Sequence, residues 1–436
     1  MWLPLPHVLN MFPVQVDAWY RSGASGVAIS IAGLALGVGS LASLLLRTTG
    51  SLTAAIIGAA LLMLNPNVLY LQSTPMTEPL LFGLCLFGIS ATAQWLDESL
   101  PAAVPGAALA GACLTRYEAW TITAAVLALG LAVLVRRGAR WPDALGRVAR
   151  LAAWPAVAVL VFSMNSRWVV GAWFVTGGFF VPENVKAIGH PLIAWQQIAD
   201  GLRQLSGWAL VWSGYAGAAL LVAEFVRSRT RASLVLLLAL AAAAALPMGA
   251  YLQGHPFRIR YDLPLVAAAA ALCAGGISVL PRLARLPVAL IAVSMTMAQA
   301  RPFDRDAPLI RESSREAAAM AGRQVVTAYL QQHRDGRTIM MSMGSLGHYM
   351  HDLSLAGFGI KDFLHEGNGE IWRFAMLTPA GHAGWLIIEE SAEGGDALHH
   401  AAKRDARWLE GFERVASGGG ATLYRFQVPG SGFREP

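Results

Sequence analysis

Apolar residues run in long blocks, broken by short polar and mostly basic interruptions. Blocks long enough to cross a bilayer as a helix, which takes roughly 20 residues, lie at 23–46, 51–70, 79–96, 119–135, 207–226, 232–250 and 263–280. Shorter blocks lie at 101–114, 151–164 and 286–300. Together they predict an α-helical polytopic membrane protein of about ten transmembrane helices. From Arg301 the pattern changes, and charged and apolar positions intermix. There the spacing predicts a helix at 312–332, strands at 338–343 and 385–389, a helix at 397–412, and strands at 413–416 and 421–428. Such mixed order predicts a C-terminal soluble α/β domain. Three segments result: an interfacial stretch at 1–22, a transmembrane block at 23–300 and an extracytoplasmic domain at 301–436.

Composition sharpens this picture. Apolar residues make up 55% of the chain and charged residues 14%, below the roughly 25% usual in soluble domains. The net charge of +6 is no nucleic-acid signal, because the arginines fall in short groups between apolar runs. Those groups set the orientation. Arg47, then Arg136, Arg137, Arg140, Arg147 and Arg150, then Arg227, Arg229 and Arg231, then Arg282 and Arg285 follow alternate spans. The positive-inside rule makes these loops cytoplasmic. Residues 1–22, 71–78, 115–118, 165–206 and 251–262, and everything after 300, then fall outside the cytoplasmic membrane; in a Gram-negative host that is the periplasm. The three cysteines, Cys85, Cys113 and Cys273, sit inside apolar segments and read as small hydrophobes, with no disulfide or metal spacing.

The first residues fit neither a signal peptide nor a span. They lack a basic start and are interrupted by Pro4, Pro6, Pro13 and Asp17, while Trp2, Trp19 and Tyr20 suit a membrane surface. The longest outer loop, 165–206, carries Trp168, Trp173, Glu183, Lys186, His190, Trp195 and Asp200. It is expected to form aromatic-rich surface helices around a turn at Gly177–Pro182. The C-terminal domain holds no phosphate-binding Gly-rich loop, dinucleotide fingerprint or zinc spacing.

Candidate chemistry sits at the outer ends of the spans, in three separate loops. Glu78 lies in Gln72–Pro79, Arg116 and Glu118 lie in Leu114–Trp120, and His255, Arg258, Arg260, Tyr261 and Asp262 lie in Gly254–Pro264. Charges at that depth are costly and usually face a protein interior or a water-filled cavity. Arginines there can pair with carboxylates, or dock a phosphate, whose oxygens match the guanidinium fork. Simpler readings stand beside these. Arg116 and Glu118 fit an interfacial pair, Arg258 and Arg260 fit snorkelling to headgroups, Glu78 before Pro79 fits a helix N-terminal acid, and His255 fits a solvated loop.

The stretches Trp2–His7, Asn65–Pro79, Leu114–Trp120 and Arg258–Pro264 resemble polytopic glycosyltransferases of the GT-C superfamily, most of all bacterial members akin to protein O-mannosyltransferases and aminoarabinose transferases. The resemblance spans roughly residues 1–300. It implies transfer of a sugar from a polyprenyl-phosphate donor to a glycan, lipid or protein acceptor on the outer face. Arg116, Arg258 and Arg260 would hold the donor phosphate, with Tyr261 and Glu118 orienting them. Glu78, Glu118, His255 and Asp262 would line the site. No cofactor is expected; a divalent cation bridging Glu78 or Asp262 to phosphate is compatible with these residues. The family's base, an aspartate in a loop after a first helix, has no counterpart here, since Asp17 does not occupy that place. A helix and an acidic loop are therefore expected upstream of Met1, and no catalytic base is assigned beyond Glu78 as a weak candidate. Two other classes remain open. One is a non-catalytic membrane partner; the other is a transporter or lipid flippase, for which an internal repeat is wanting and the mid-span residues are almost all apolar.

Overall fold

The computed structural model describes residues 3–171, 173, 184–390 and 396–427, apart from the side chains of 170 and 315–319. The turn expected at Gly177–Pro182, together with Glu183 and Trp2, lies outside the described residues. The chain divides into two compact units, one running to Arg311 and the other starting at Glu312.

The first unit opens with two short helices, α1 (Leu5–Asn10) and α2 (Asp17–Ser22), with Phe12, Trp19 and Tyr20 exposed. The bundle follows: α3 (Ala24–Thr49), α4 (Leu52–Met63), α5 (Pro66–Gln72), α6 (Glu78–Leu96), α7 (Ala103–Cys113), α8 (Glu118–Arg136), α9 (Trp141–Val170) and α10 (Pro191–Arg227). A 3-10 stretch at Ala232–Ala244 runs into α11 (Ala245–Leu252), and a 3-10 turn at Ile259–Asp262 runs into α12 (Leu263–Val279) and then α13 (Arg282–Gln299). Every one of the ten expected blocks is helical. Seven helices among the described residues are long and apolar enough to cross a membrane, or eight if the pair α4–α5, bent by 70°, counts as one span. The figure of about ten therefore drops. At 11 residues α7 is too short, and α13, with three arginine or proline interruptions in its first turns, is insufficiently apolar.

Two expected boundaries also move. The block at 151–164 is the middle of the much longer α9, which absorbs Pro155 and the basic stretch before it. The outer loop expected at 165–206 shrinks at both ends, because α9 runs to Val170 and α10 starts at Pro191. The span expected to begin at 207 is nonetheless marked in the structure. At Gly207 the backbone takes φ 75° and ψ 163°, a conformation only glycine adopts without strain, and α10 breaks there.

Two of the backbone groups freed by that break take side-chain partners. The Leu205 carbonyl accepts from the side-chain amides of Asn65 and Asn67, both at 2.9 Å. The Ala209 N–H donates to Gln299 Oε1 at 2.9 Å. Asn65 also caps α5, accepting from the N–H groups of Asn67 and Val68, and Pro66 takes the first helical position, where no N–H is missed.

Helices close on each other through small residues, as in most membrane bundles. A Cβ on Gly83 of α6 would lie 2.3 Å from the Gly33 carbonyl of α3, and one on Gly217 of α10 would lie 2.1 Å from the Leu272 carbonyl of α12. The span Ile259–Val279, which includes α12, is the most enclosed, with 94% of its apolar window buried.

The second unit comprises most of α12's distant successor α14 (Pro308–Gln332), then β1 (Ile339–Met340), α15 (Met343–Leu355), β2 (Phe363–Leu364), α16 (Glu370–Leu377), β3 (Trp385–Glu389), α17 (Ala397–Arg404), β4 (Phe412–Gly418) and β5 (Ala421–Phe426). Its five-stranded sheet has the order β2-β1-β3-β5-β4. The first three strands are parallel and the last two antiparallel to their neighbours, so the expected α/β domain is present. Gly419 and Gly420, both at positive φ, make the two-residue turn that joins β4 to β5. At the end of β3, Glu389 is buried and accepts from Arg323 Nε and from the Tyr349 hydroxyl, both at 2.6 Å.

Candidate functional site

Helices α6 and α8 fix the geometry. Each is 19 residues long, so its ends stand roughly 28 Å apart at 1.5 Å per residue, close to the thickness of a hydrocarbon core. Glu78 is the first residue of α6 and Glu118 the first of α8. An acid there faces the partial positive charge of a helix N-terminus. Both side chains are almost wholly buried.

Arg116, in the turn between α7 and α8, joins the two carboxylates. Its Nη2 and Nε donate to Glu118 Oε1 at 2.6 and 3.1 Å, and its Nη1 lies 3.1 Å from Glu78 Oε1 and donates to the Thr77 hydroxyl at 3.2 Å. Burial disfavours the guanidinium charge, but Glu118 and Glu78, with a smaller contribution from Tyr261, more than offset it and raise the Arg116 pKa above its ordinary value. Tyr261 belongs to the third loop, so the structure brings that loop into the electrostatic neighbourhood of the other two. The interfacial pair of Arg116 and Glu118 is thus real, yet it is part of a larger buried cluster. Thr77 had no signal in the sequence beyond its place beside Glu78.

The third loop is a compact turn. The Tyr251 hydroxyl donates to the Arg258 carbonyl at 3.4 Å, and the His255 ring lies 5.5 Å from the Tyr261 ring. The Arg260 guanidinium sits 5.7 Å from the Tyr261 ring centre, and no ion pair to Arg260 occurs among the described residues. His255 is half-buried, with Nδ1 2.9 Å from the Pro256 carbonyl, rather than a freely solvated side chain. Asp262 is fully buried, and neither carboxylate oxygen has a hydrogen-bond partner among the described residues. It packs against α10 at Gly201, where a Cβ would come within 2.0 Å of Oδ2. Only a glycine leaves room for that carboxyl, a constraint with no signature in the sequence. Asp17 is exposed and paired with Arg21 at 2.7 Å. Among the described residues no group of three or more His, Cys, Asp or Glu side chains is arranged to hold a metal ion.

The opposite ends of α6 and α8 carry the basic residues. Arg137 pairs with Asp97 at 2.7 Å, Arg147 with Glu98 at 3.3 Å and Arg231 with Glu224 at 3.5 Å. Arg136 donates to the carbonyls of Phe225 and Val226 near the end of α10, and Arg285 to the Leu280 carbonyl after α12. Cations at helix C-termini satisfy carbonyls that have no intrahelical partner.

No family model and no curated protein matches the sequence. Solved structures do match in shape. One is the crystal structure of ArnT from Cupriavidus metallidurans bound to undecaprenyl phosphate, at TM-score 0.50 and 12% identity, over 92% of this chain and 83% of that one. Another is ArnT from the same organism in the apo state, at TM-score 0.50 and 14% identity, with the same coverage. Over nine-tenths of its length, then, the chain has the fold of ArnT, and its apolar helices make the first unit a multi-pass membrane bundle.

Proposed function

We propose that the chain transfers a sugar from a polyprenyl-phosphate donor to an acceptor at the membrane surface, at the end of the bundle where Glu78 and Arg116 meet and to which Tyr261 adds its field. The observation that carries this reading is the ArnT-like fold, one example of which holds undecaprenyl phosphate. Two arginines on the Gly254–Pro264 turn add to it. Arg258 and Arg260 would take the donor phosphate. Arg116, already engaged by two carboxylates, would act chiefly by holding the loops of Glu78 and Glu118 together.

In the reaction an acceptor nucleophile attacks the anomeric carbon. The bond from that carbon to the phosphate oxygen breaks, and polyprenyl phosphate leaves with the bonding pair. Guanidinium groups placed where that charge develops lower the barrier. The acceptor's proton passes to a base that none of these residues is assigned to be. Glu78 lines the site, and its two oxygens make no conventional hydrogen bond. Two carboxylates against one guanidinium leave an excess negative charge, which a divalent cation at Glu78 would offset. From the distribution of arginines, this end of the bundle would face away from the cytoplasm, with the C-terminal domain on the same side.

The test uses detergent-purified protein, a radiolabelled polyprenyl-phosphate sugar and membrane extract from a host lacking the gene. Saturable label transfer with release of polyprenyl phosphate, lost in Arg260→Ala, supports the reading. Label movement that requires sealed vesicles, without transfer, would replace it with transport.

A further inference from the structure

At the arginine-rich end of the bundle, between α3 and α6, lies a cavity of about 280 Å³. Its lining is polar: Arg47, Thr48, Ser90, Gln94, Asp97 and Ser99, with Leu44 at its apolar side. The charges in it do not cancel. Asp97 is already paired with Arg137 at 2.7 Å, whereas neither Arg47 nor Thr48 makes a side-chain hydrogen bond or ion pair among the described residues. Arg47, exposed at the cavity's mouth, is therefore a cation without a counter-ion among the described residues, beside the Thr48 hydroxyl, while the Gln94 amide gives one N–H to the Ser90 carbonyl at 3.3 Å and keeps the other. Next to it in the chain, Leu46 and Leu52 are exposed, at a level where a bilayer would meet them with acyl chain. Trp141 and Leu145, at the same end, are exposed as well, and tryptophan favours the membrane interface.

We infer that this cavity binds the phosphate headgroup of an anionic phospholipid, with Arg47 and Thr48 on the phosphate and Gln94 and Ser99 on the polar headgroup. A guanidinium matches phosphate oxygens two at a time, and basic pockets between helices at a membrane interface are suited to such headgroups. The cavity is far from the Glu78 cluster, at the other ends of the same helices, so the inference does not depend on the proposed reaction.

The experiment measures the melting temperature of the full-length protein in detergent micelles, titrated with short-chain phosphatidylglycerol, short-chain phosphatidylcholine or inorganic phosphate. Phosphatidylglycerol should raise it saturably, while phosphatidylcholine should not. Arg47→Gln should weaken the apparent affinity by about fivefold and Arg47→Glu by about thirtyfold, the effect of one and two charges near a membrane surface. Arg150→Gln, an exposed arginine of α9 outside the cavity, should leave the response as in the natural protein. If Arg47→Glu does not fold, Arg47→Gln with an unchanged lipid-free melting temperature decides the matter. A free-anion site, seen as an equal response to inorganic phosphate, would overturn the lipid assignment. So would an equal loss in Arg150→Gln, or an undiminished response in Arg47→Gln.

Discussion

The Nη1 of Arg116 lies 3.1 Å from Oε1 of Glu78, thirty-eight positions earlier in the chain, while its other donors hold Glu118. One guanidinium thereby ties the starts of α6 and α8 together. Removing it leaves two buried carboxylates facing each other. Arg116→Ala should lower stability by about 3–5 kcal/mol, the usual cost of breaking a buried pair from one side, and abolish transfer as well. Arg116→Lys keeps the charge but not the fork, and should fall between. Thermal unfolding in detergent reads the first effect; an Arg116→Ala protein as stable as the natural one would show the cluster to be idle.

Arg260 should behave differently. With no ion pair among the described residues and the ring of its own neighbour Tyr261 as its contact, it ties no second loop in place. Arg260→Ala should keep the melting temperature within a degree or two yet reduce transfer by about a hundredfold, the scale seen when a donor to developing charge is removed. Activity and melting curves on one preparation separate the two arginines.

Asn65 and Asn67 share the Leu205 carbonyl. Either one alone still satisfies it, but Asn67 Oδ1 also accepts from the buried Leu309 N–H at 3.1 Å, so Asn67→Ala should cost about 2 kcal/mol. Asn65→Ala also loses the cap of α5 and should cost about 2 kcal/mol. The double substitution leaves a buried carbonyl bare and should exceed the sum of the two singles. A strictly additive double-mutant cycle would refute the shared acceptor.

Glu389 makes the C-terminal unit sensitive to acid. Burial tends to raise its pKa, but the bonds from Tyr349 and Arg323 outweigh that and hold it below its ordinary value. Its folded pKa being the lower one, its contribution is complete above the ordinary glutamate range. That contribution fades as pH falls through that range toward the native value. Glu389→Gln should therefore flatten the acid limb of the C-terminal unit's stability profile below the ordinary glutamate range, as followed by hydrogen exchange in β3. An unchanged slope would mean that the pair is not formed.

The long apolar blocks were legible in the sequence because hydrophobicity is a bulk property of twenty or so residues. β3 was legible too, as an uninterrupted run from Trp385 to Glu389 that is buried throughout. β1 and β2, two residues each, carry no pattern of their own and exist only through their neighbours. The full length of α9 was hidden because its first half is laced with Arg147 and Arg150, which a helix end at a membrane surface tolerates but hydropathy does not count. At the site, residue type and depth singled out Glu78, Arg116, Glu118 and the Arg258–Asp262 turn. The choice of partners was not legible, because it depends on where α6 and α8 begin relative to each other. Gly201 and Thr77 were missed for the same reason.

The enclosure of α12 has a consequence for how the protein is made. A helix that meets almost no lipid in the finished bundle needs no lipid-like sequence there, and a soluble core of alanine and leucine would pack equally well. Yet it must leave the translocon and enter the bilayer before it can settle among α3, α4, α6 and α10, which precede it in the chain. The apolar character of 263–279 then answers to that brief passage, and the mature fold retains it only as a trace of its own assembly.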